Sequence, residues 1–142
     1  MKAYVDTNIL VDLILSREDF LPDAQQIFAL GYIGEIELTL SALSFVTTVY
    51  LAEKYKYPRE QVLTQLRQVA DFVEVADLRG QNVVEMLQSD WRDYEDATHH
   101  RCAIESNADC IVTRNGRDYR LSPVPVCTPG EFLKRLFPTE DA

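Results

Sequence analysis

The sequence predicts an α/β domain in which helices cover the faces of a central, mainly parallel sheet. Three observations carry this expectation. The chain has 142 residues, of which 46% are hydrophobic and 10% aromatic, the size and composition of one domain with a real core. Short apolar clusters that read as buried strands occur at residues 3–5, 37–40 (ELTL), 72–75, 109–112 (DCIV) and 124–127. Helical patterns stand between them, and strands that alternate with helices close into a parallel sheet with helical crossovers.

Taken in order, the first strand lies in KAYV and runs directly into Asp6, Thr7 and Asn8, then into the apolar series Ile9, Leu10, Leu13 and Ile14. This reads as a strand, a polar turn and a helix start. In SALSFVTTVYLAEKY, Ser41 is placed to cap the helix after the second strand. PREQVLTQLRQVADF opens at Pro58 and sets Val62, Leu63, Leu66, Val69 and Ala70 on one helical face. A further helix runs through YEDATHHRCAIESN, with Asp93 able to cap it and Asp96 at its third position. The last helix opens with TPGE, where Thr128 is the cap, Pro129 the first helical residue and Glu131 the capping-box partner. No repeat, linker or low-complexity tract interrupts a single domain over 1–142, and residues 138–142 (PTEDA) are expected to fray.

Composition also narrows the function. The apolar runs are too short to span a bilayer, and MKAYVDTN lacks a signal-peptide core, so a cytoplasmic address is expected, with no membrane partner. Cys102, Cys110 and Cys127 are widely spaced and read as buried thiols, not as a disulfide framework or zinc site. A net charge of −9 argues against a general electrostatic grip on nucleic acid, so binding to phosphate would need divalent cations, a few placed arginines or a basic partner.

The chemistry is expected at one edge of the sheet. In open parallel sheets ligands bind beyond the carboxyl ends of the strands, where the following helices begin. Asp6 follows the first strand, Asn115 and Asp118 follow DCIVT, and Asp96 lies in the first turn of a helix that starts at that edge. Three segments thus bring carboxylates to one rim. Carboxylates forced together repel unless a cation lies among them, and oxygen donors without His or Cys suit Mg²⁺ or Mn²⁺. Such ions commonly work on phosphate oxygens, which points to phosphodiester hydrolysis.

VDTNILVDLIL near the start, YEDATHHRCAIESNADCIVTRNGRDY in the second half and VPVCTPGEFL near the end together resemble a PIN domain, in particular the VapC-like toxin ribonucleases of prokaryotic toxin–antitoxin pairs. The resemblance covers nearly the whole chain in order. Its second block is far more specific than D-T-N alone. It implies a compact three-layer α/β/α sandwich, usually a homodimer, that cuts RNA with Mg²⁺ or Mn²⁺ and is inhibited by a cognate antitoxin. Carried over by position, it implies Asp6, Asp96 and Asp118, with Asn115 joining them as a metal ligand and Thr113 before them; Glu95, adjacent to Asp96, and Asn8 are read as supporting residues. One position departs from the pattern: a glutamate is usual early in the helix after the second strand, and Thr47 stands there. The loss lowers the anionic charge of the site, and weaker metal binding is the direct expectation.

Each of these residues also has a bland reading. Asp6 and Asp96 can be helix-start carboxylates, and Asn115–Gly116 is a common turn dipeptide. Thr113 can simply end its strand. Arg114, Arg117 and Arg120 are either a solvated loop or contacts to RNA phosphates. The adjacent His99 and His100 read as solvent-facing and stay outside the catalytic set. Two other functions compete with the ribonuclease. With Thr47 in place of an acid, the chain could bind RNA or protein without cutting. A haloacid-dehalogenase-like phosphatase would want a second Asp two residues after the first, where Asn8 stands.

Overall fold

The computed structural model describes residues 1–119 and 121–138, except for the side chain of Asp118. Arg120, the Asp118 carboxylate and residues 139–142 of the expected frayed tail therefore lie outside the described residues.

Five strands, β1 (Lys2–Val5), β2 (Glu37–Ser41), β3 (Glu74–Ala76), β4 (Cys110–Val112) and β5 (Val126–Cys127), form one sheet in the order β3-β2-β1-β4-β5. Every pairing is parallel. The helices are α1 (Thr7–Ile14), α2 (Leu21–Tyr32), α3 (Ala42–Lys54), α4 (Arg59–Ala70), α5 (Gly80–Met86), α6 (Tyr94–Glu105) and α7 (Pro129–Leu136), with a 3-10 turn at Gly116–Tyr119. Successive side chains of β1 alternate between two cores. Ala3 and Val5 join the larger one with Ile9, Leu10, Ile27, Leu66 and Phe132, drawn from α1, α2, α4 and α7. Tyr4 faces the smaller one with Ile111, Tyr119 and the α6 residues Cys102 and Ala103. Helices cover both faces, so the expected α/β/α sandwich is the observed fold.

Local capping explains most helix starts. Ser41 accepts a hydrogen bond from the Leu43 N–H at 3.1 Å. Asp93 accepts from the N–H groups of Glu95 and Asp96 at 2.8 and 3.2 Å. Thr128 and Glu131 form the reciprocal capping box. Pro58 is the cap of α4 and not its first helical residue. The third strand begins two residues later than expected: Phe72 and Val73 pack against the larger core, and the pairing runs over Glu74–Ala76. Helices α2 and α5 were not among the sequence expectations. In α2, Gly31 allows close approach to β2: a Cβ there would lie 2.5 Å from Leu38 Cδ1. The three cysteines are buried and free, as expected.

One buried ion pair fastens α1 to the segment after β4. Asp12 is 1% exposed and accepts two hydrogen bonds from Arg114, at 2.8 and 3.1 Å. The same guanidinium lies 3.8 Å from the centre of the Phe20 ring. Burial raises the Asp12 carboxyl above its ordinary 3.8, while Arg114 pulls it back. Arg114 is thus committed to the fold, although the sequence offered it as a phosphate contact.

Removing Arg114 would take both hydrogen bonds from a buried charge and leave it only the longer approach of Arg17 at 3.7 Å. Arg114→Met should destabilise the protein by about 3–5 kcal/mol at neutral pH, read by urea unfolding. Without Arg114 the folded pKa of Asp12 climbs further above 3.8. The folded mutant then binds the proton more readily than the folded wild type, so the deficit should shrink as pH falls from the mutant's raised pKa towards the wild-type one, itself above 3.8. A deficit that stays constant over this range would refute the account.

Candidate metal centre

The register of β1 against β4 builds the rim. Val5 pairs with Val112, and the Asp6 N–H continues the ladder to the Val112 carbonyl at 2.9 Å. Thr113 therefore stands beside Asp6, and its hydroxyl donates to Asp6 Oδ2 at 2.7 Å. The other carboxylate oxygen, Oδ1, accepts from the Thr7 N–H at 2.7 Å. Asp6 is thus the cap of α1, as its bland reading held, yet Oδ1 keeps a lone pair beside its bond from Thr7. At 4% exposure it is nearly sealed from bulk water.

Asp6 opens on a cavity of about 350 Å³ whose lining includes Asn8, Thr47, Glu95, Asp96 and Asn115. Asp96 comes from the first turn of α6 and is 9% exposed; Glu95 beside it is half exposed. Asn8 Nδ2 makes only long contacts of 3.4 and 3.5 Å to Asp6 and Thr113, and Asn8 Oδ1 is buried with no hydrogen-bond partner. Asn115 is exposed, and its N–H donates to Thr113 Oγ1 at 3.1 Å.

The cavity therefore gathers Asp6, Asn8, Thr47, Glu95, Asp96 and Asn115 from the sequence-derived set, with Thr113 behind Asp6. Asp118 belongs by backbone to the 3-10 turn, but its carboxylate is outside the described residues, as is Arg120. Arg117 is exposed. Two further charged side chains in the lining stood outside the sequence-derived set: Asp93, the α6 cap, and Arg17, from the loop after α1. Arg17 lies 3.7 Å from Asp12 and gives the rim a cation that local sequence did not mark.

The largest correction concerns His99, which is fully buried and not solvent-facing. Its Nδ1 lies 2.6 Å from the Tyr4 hydroxyl and its Nε2 3.0 Å from Thr7 Oγ1. Nε2 is also 3.9 Å from Asp6 Oδ1 and 3.6 Å from Glu95 Oε1. The imidazole of His99 beside it holds Glu95 below its ordinary pKa. A signal for this existed: Asp96, His99 and Ala103 share a helical face at i, i+3 and i+7, and that face is buried. His100 is instead half-buried, with its ring 4.7 Å from that of Trp91. Tyr119 is buried behind the site, and burial with the charges of Asp6 and Asp96 raises its hydroxyl pKa, so the phenol stays neutral.

Among the described residues, no group of three or more His, Cys, Asp or Glu side chains could hold a metal ion. The charged donors facing the cavity are carboxylates alone, and the remaining donors are amide and hydroxyl oxygens. That donor chemistry suits a hard divalent cation, and the unpartnered Asn8 Oδ1 supplies a buried oxygen with an unused acceptor site.

Comparison with known proteins identifies the fold. A PIN domain family model matches residues 2–117. No curated protein sequence matches the chain significantly. Among solved structures, a toxin–antitoxin complex from Klebsiella pneumoniae is 24% identical with a TM-score of 0.64, over 89% of this chain and 97% of that one. VapBC2 from Rickettsia felis, bound to a DNA fragment from its promoter, is 21% identical with a TM-score of 0.64, over 90% and 98%. VapC20 from Mycobacterium tuberculosis, a toxin that cleaves the sarcin–ricin loop, is 16% identical with a TM-score of 0.61, over 77% and 86%. These likenesses establish the shared fold, and with the match over residues 2–117 the chain belongs to the PIN domain family.

Proposed function

We propose that this protein is a Mg²⁺- or Mn²⁺-dependent endoribonuclease and the toxin of a toxin–antitoxin pair. The observation that carries the reading is the convergence of Asp6, Asp96 and Glu95, from two separate segments, with Asn8 and Asn115 on one cavity at the carboxyl edge of the sheet. Asp6, Asp96, Asn115 and Asp118 would hold the ion. Bound there, a divalent cation would stabilise charge on the scissile phosphate and favour attack by water. The chain's own part is positional. Thr7 and Thr113 fix the Asp6 carboxylate, Asp93 holds the first turn of α6 and so the place of Asp96, and Arg17 offers a cation to RNA phosphate. Arg117 remains available for a second phosphate contact, with Arg120 proposed on sequence alone.

Membership of the PIN domain family and the fold shared with toxins solved in toxin–antitoxin complexes support the toxin assignment. The partners in this reading are RNA, an antitoxin protein and a second copy of the chain, in the cytoplasm. The net charge of −9 suits a basic antitoxin segment. Among the described residues no helix is long and apolar enough to cross a membrane.

A second reading, a PIN-like module that binds RNA or protein without cutting, is favoured by one observation: Thr47 lines the cavity where an acid is usual. Mn²⁺ titration separates the two. An ion bound at this site together with cleavage of single-stranded RNA supports the nuclease; neither ion binding nor cleavage supports the module.

Asp6→Asn should lower RNA cleavage by at least about 100-fold, since it removes the charge that the cation needs. Asn still caps a helix, so its near-UV circular dichroism should match wild type. Equal cleavage by mutant and wild type, with contaminating nuclease excluded, would sink the assignment. Restoring an acid should act in the opposite direction: Thr47→Glu is expected to tighten Mn²⁺ binding by about tenfold or more in calorimetric titration, because one more carboxylate faces the ion.

A further inference from the structure

The buried histidine does not belong to the ligand set proposed above, yet it links three elements that do position that set. From β1 the Tyr4 hydroxyl meets His99 Nδ1 at 2.6 Å; from α6 the imidazole Nε2 meets Thr7 Oγ1 at 3.0 Å. From α1 the Thr7 hydroxyl meets Ser44 Oγ of α3 at 2.8 Å. Tyr4, His99 and Ser44 are fully buried and Thr7 is 6% exposed, so water does not compete for these bonds.

Two arguments orient the chain of hydrogen bonds. The Tyr4 hydroxyl is a fully buried neutral phenol, 2.6 Å from Nδ1, and can donate to it. In addition, Nε2 faces Asp6 Oδ1 at 3.9 Å and Glu95 Oε1 at 3.6 Å. A bare nitrogen lone pair there would be turned towards two carboxylates, whereas an N–H offers them its positive end. Tyr4 therefore donates to Nδ1, Nε2–H donates to Thr7 Oγ1, and the Thr7 hydroxyl is left to donate to Ser44.

Thr7 carries the effect to the site. Its side chain is clamped between His99 and Ser44, and its backbone N–H holds Asp6 Oδ1 at 2.7 Å. His99 itself stands one turn along α6 from Asp96 and Glu95. We infer that His99 is a positioning residue which, as the Nε2–H tautomer fixed by Tyr4, sets the Asp6 carboxylate and the first turn of α6 in the mutual geometry that a divalent cation requires. This rests on the metal-site reading above, and it assigns to His99 no contact with substrate or ion. Partners that orient metal ligands in this way typically change metal affinity by 10–100-fold when removed.

The test uses Tyr4→Phe, which keeps the ring in the core and removes only the hydroxyl that sets the tautomer, alongside His99→Gln and His99→Leu. In the metal-free full chain, ¹⁵N spectra should show the Nε2–H tautomer in wild type and a tautomer mixture in Tyr4→Phe, with a displaced Asp6 carboxyl ¹³C resonance. The dissociation constant for Mn²⁺ should rise about 10–100-fold in Tyr4→Phe and His99→Leu. It should rise less in His99→Gln, whose amide N–H can still reach Thr7. For RNA cleavage, kcat should fall at limiting Mn²⁺ with KM for RNA unchanged. An Nδ1–H tautomer in wild type, or unchanged Mn²⁺ affinity in folded Tyr4→Phe, overturns the inference. Should His99→Leu fail to fold, Tyr4→Phe decides alone. Should wild type bind no Mn²⁺, the metal-site reading fails, and the Asp6 ¹³C resonance still decides the positioning role: displaced in Tyr4→Phe it stands, unmoved it falls.

Discussion

The parallel register of β1 on β4, with Val5 opposite Val112, sets the place of every polar group at the rim. A slip of one residue would exchange the faces of the strand, sending Tyr4 into the larger core and Ala3 and Val5 towards α6. It would also separate Asp6 from Thr113, whose 2.7 Å hydrogen bond exists only because both follow directly on paired strand ends. The apolar alternation that stabilises the centre of the sheet is thus the same constraint that delivers a carboxylate to its edge. Stability and site geometry share one cause, and β1, flanked by β2 and β4, has no free edge along which to slide.

Around that strand the protein buries more polarity than a plain α/β core requires. Asp6, Thr7, Ser44, His99 and Thr113 are all buried, and each makes at least one hydrogen bond within the group. An unpaired member would cost about 1–3 kcal/mol, so the network tolerates few alternative arrangements. Its benefit is rigidity where three secondary elements meet. The Asp12–Arg114 pair does similar work on the far side of α1: it joins the helix to the segment after β4 across 102 residues of sequence. Between these two anchorages α1 cannot shift without breaking buried hydrogen bonds, and Asp6 at its start is held with it.

How far the sequence disclosed this arrangement depended on the range of the interaction. The strands were legible because apolar runs bounded by polar residues are a local signal, and the caps at Ser41, Asp93 and Thr128 were legible because each cap bonds to an N–H two or three residues away. Helix α2 lacks a side-chain cap, and α5 is only seven residues long, so neither carried a start signal to read. Among site residues, the rim placement of Asp6 and Asp96 followed from strand and helix ends alone. His99 escaped because a polar pair on a polar helix looks solvated until Tyr4, 95 residues away, is seen to meet it. Arg114 misled for the same reason: its loop looked free, and its partner Asp12 belongs to the opposite end of the chain. Local chemistry was readable, and pairings between distant segments were not.

Thr47 leaves the cavity with less negative charge than the family pattern provides, and the consequence runs in two directions. Fewer carboxylates draw a cation less strongly, since each carboxylate about 4 Å from a divalent ion contributes up to about 8 kcal/mol at an effective dielectric of 20. The same deficit eases the cation-free state, because Asp6, Asp96 and Glu95 repel one another less than a larger set would. Glu95 gains further relief from the imidazole, which holds its carboxyl below its ordinary pKa. Neutral oxygens from Asn8, Thr47 and Asn115 remain to fill a coordination shell without adding repulsion. An ion of the kind proposed would be held there through geometry more than through charge. For that reason the buried hydroxyl and imidazole bonds behind Asp6 carry more weight here than they would in a site with one more glutamate.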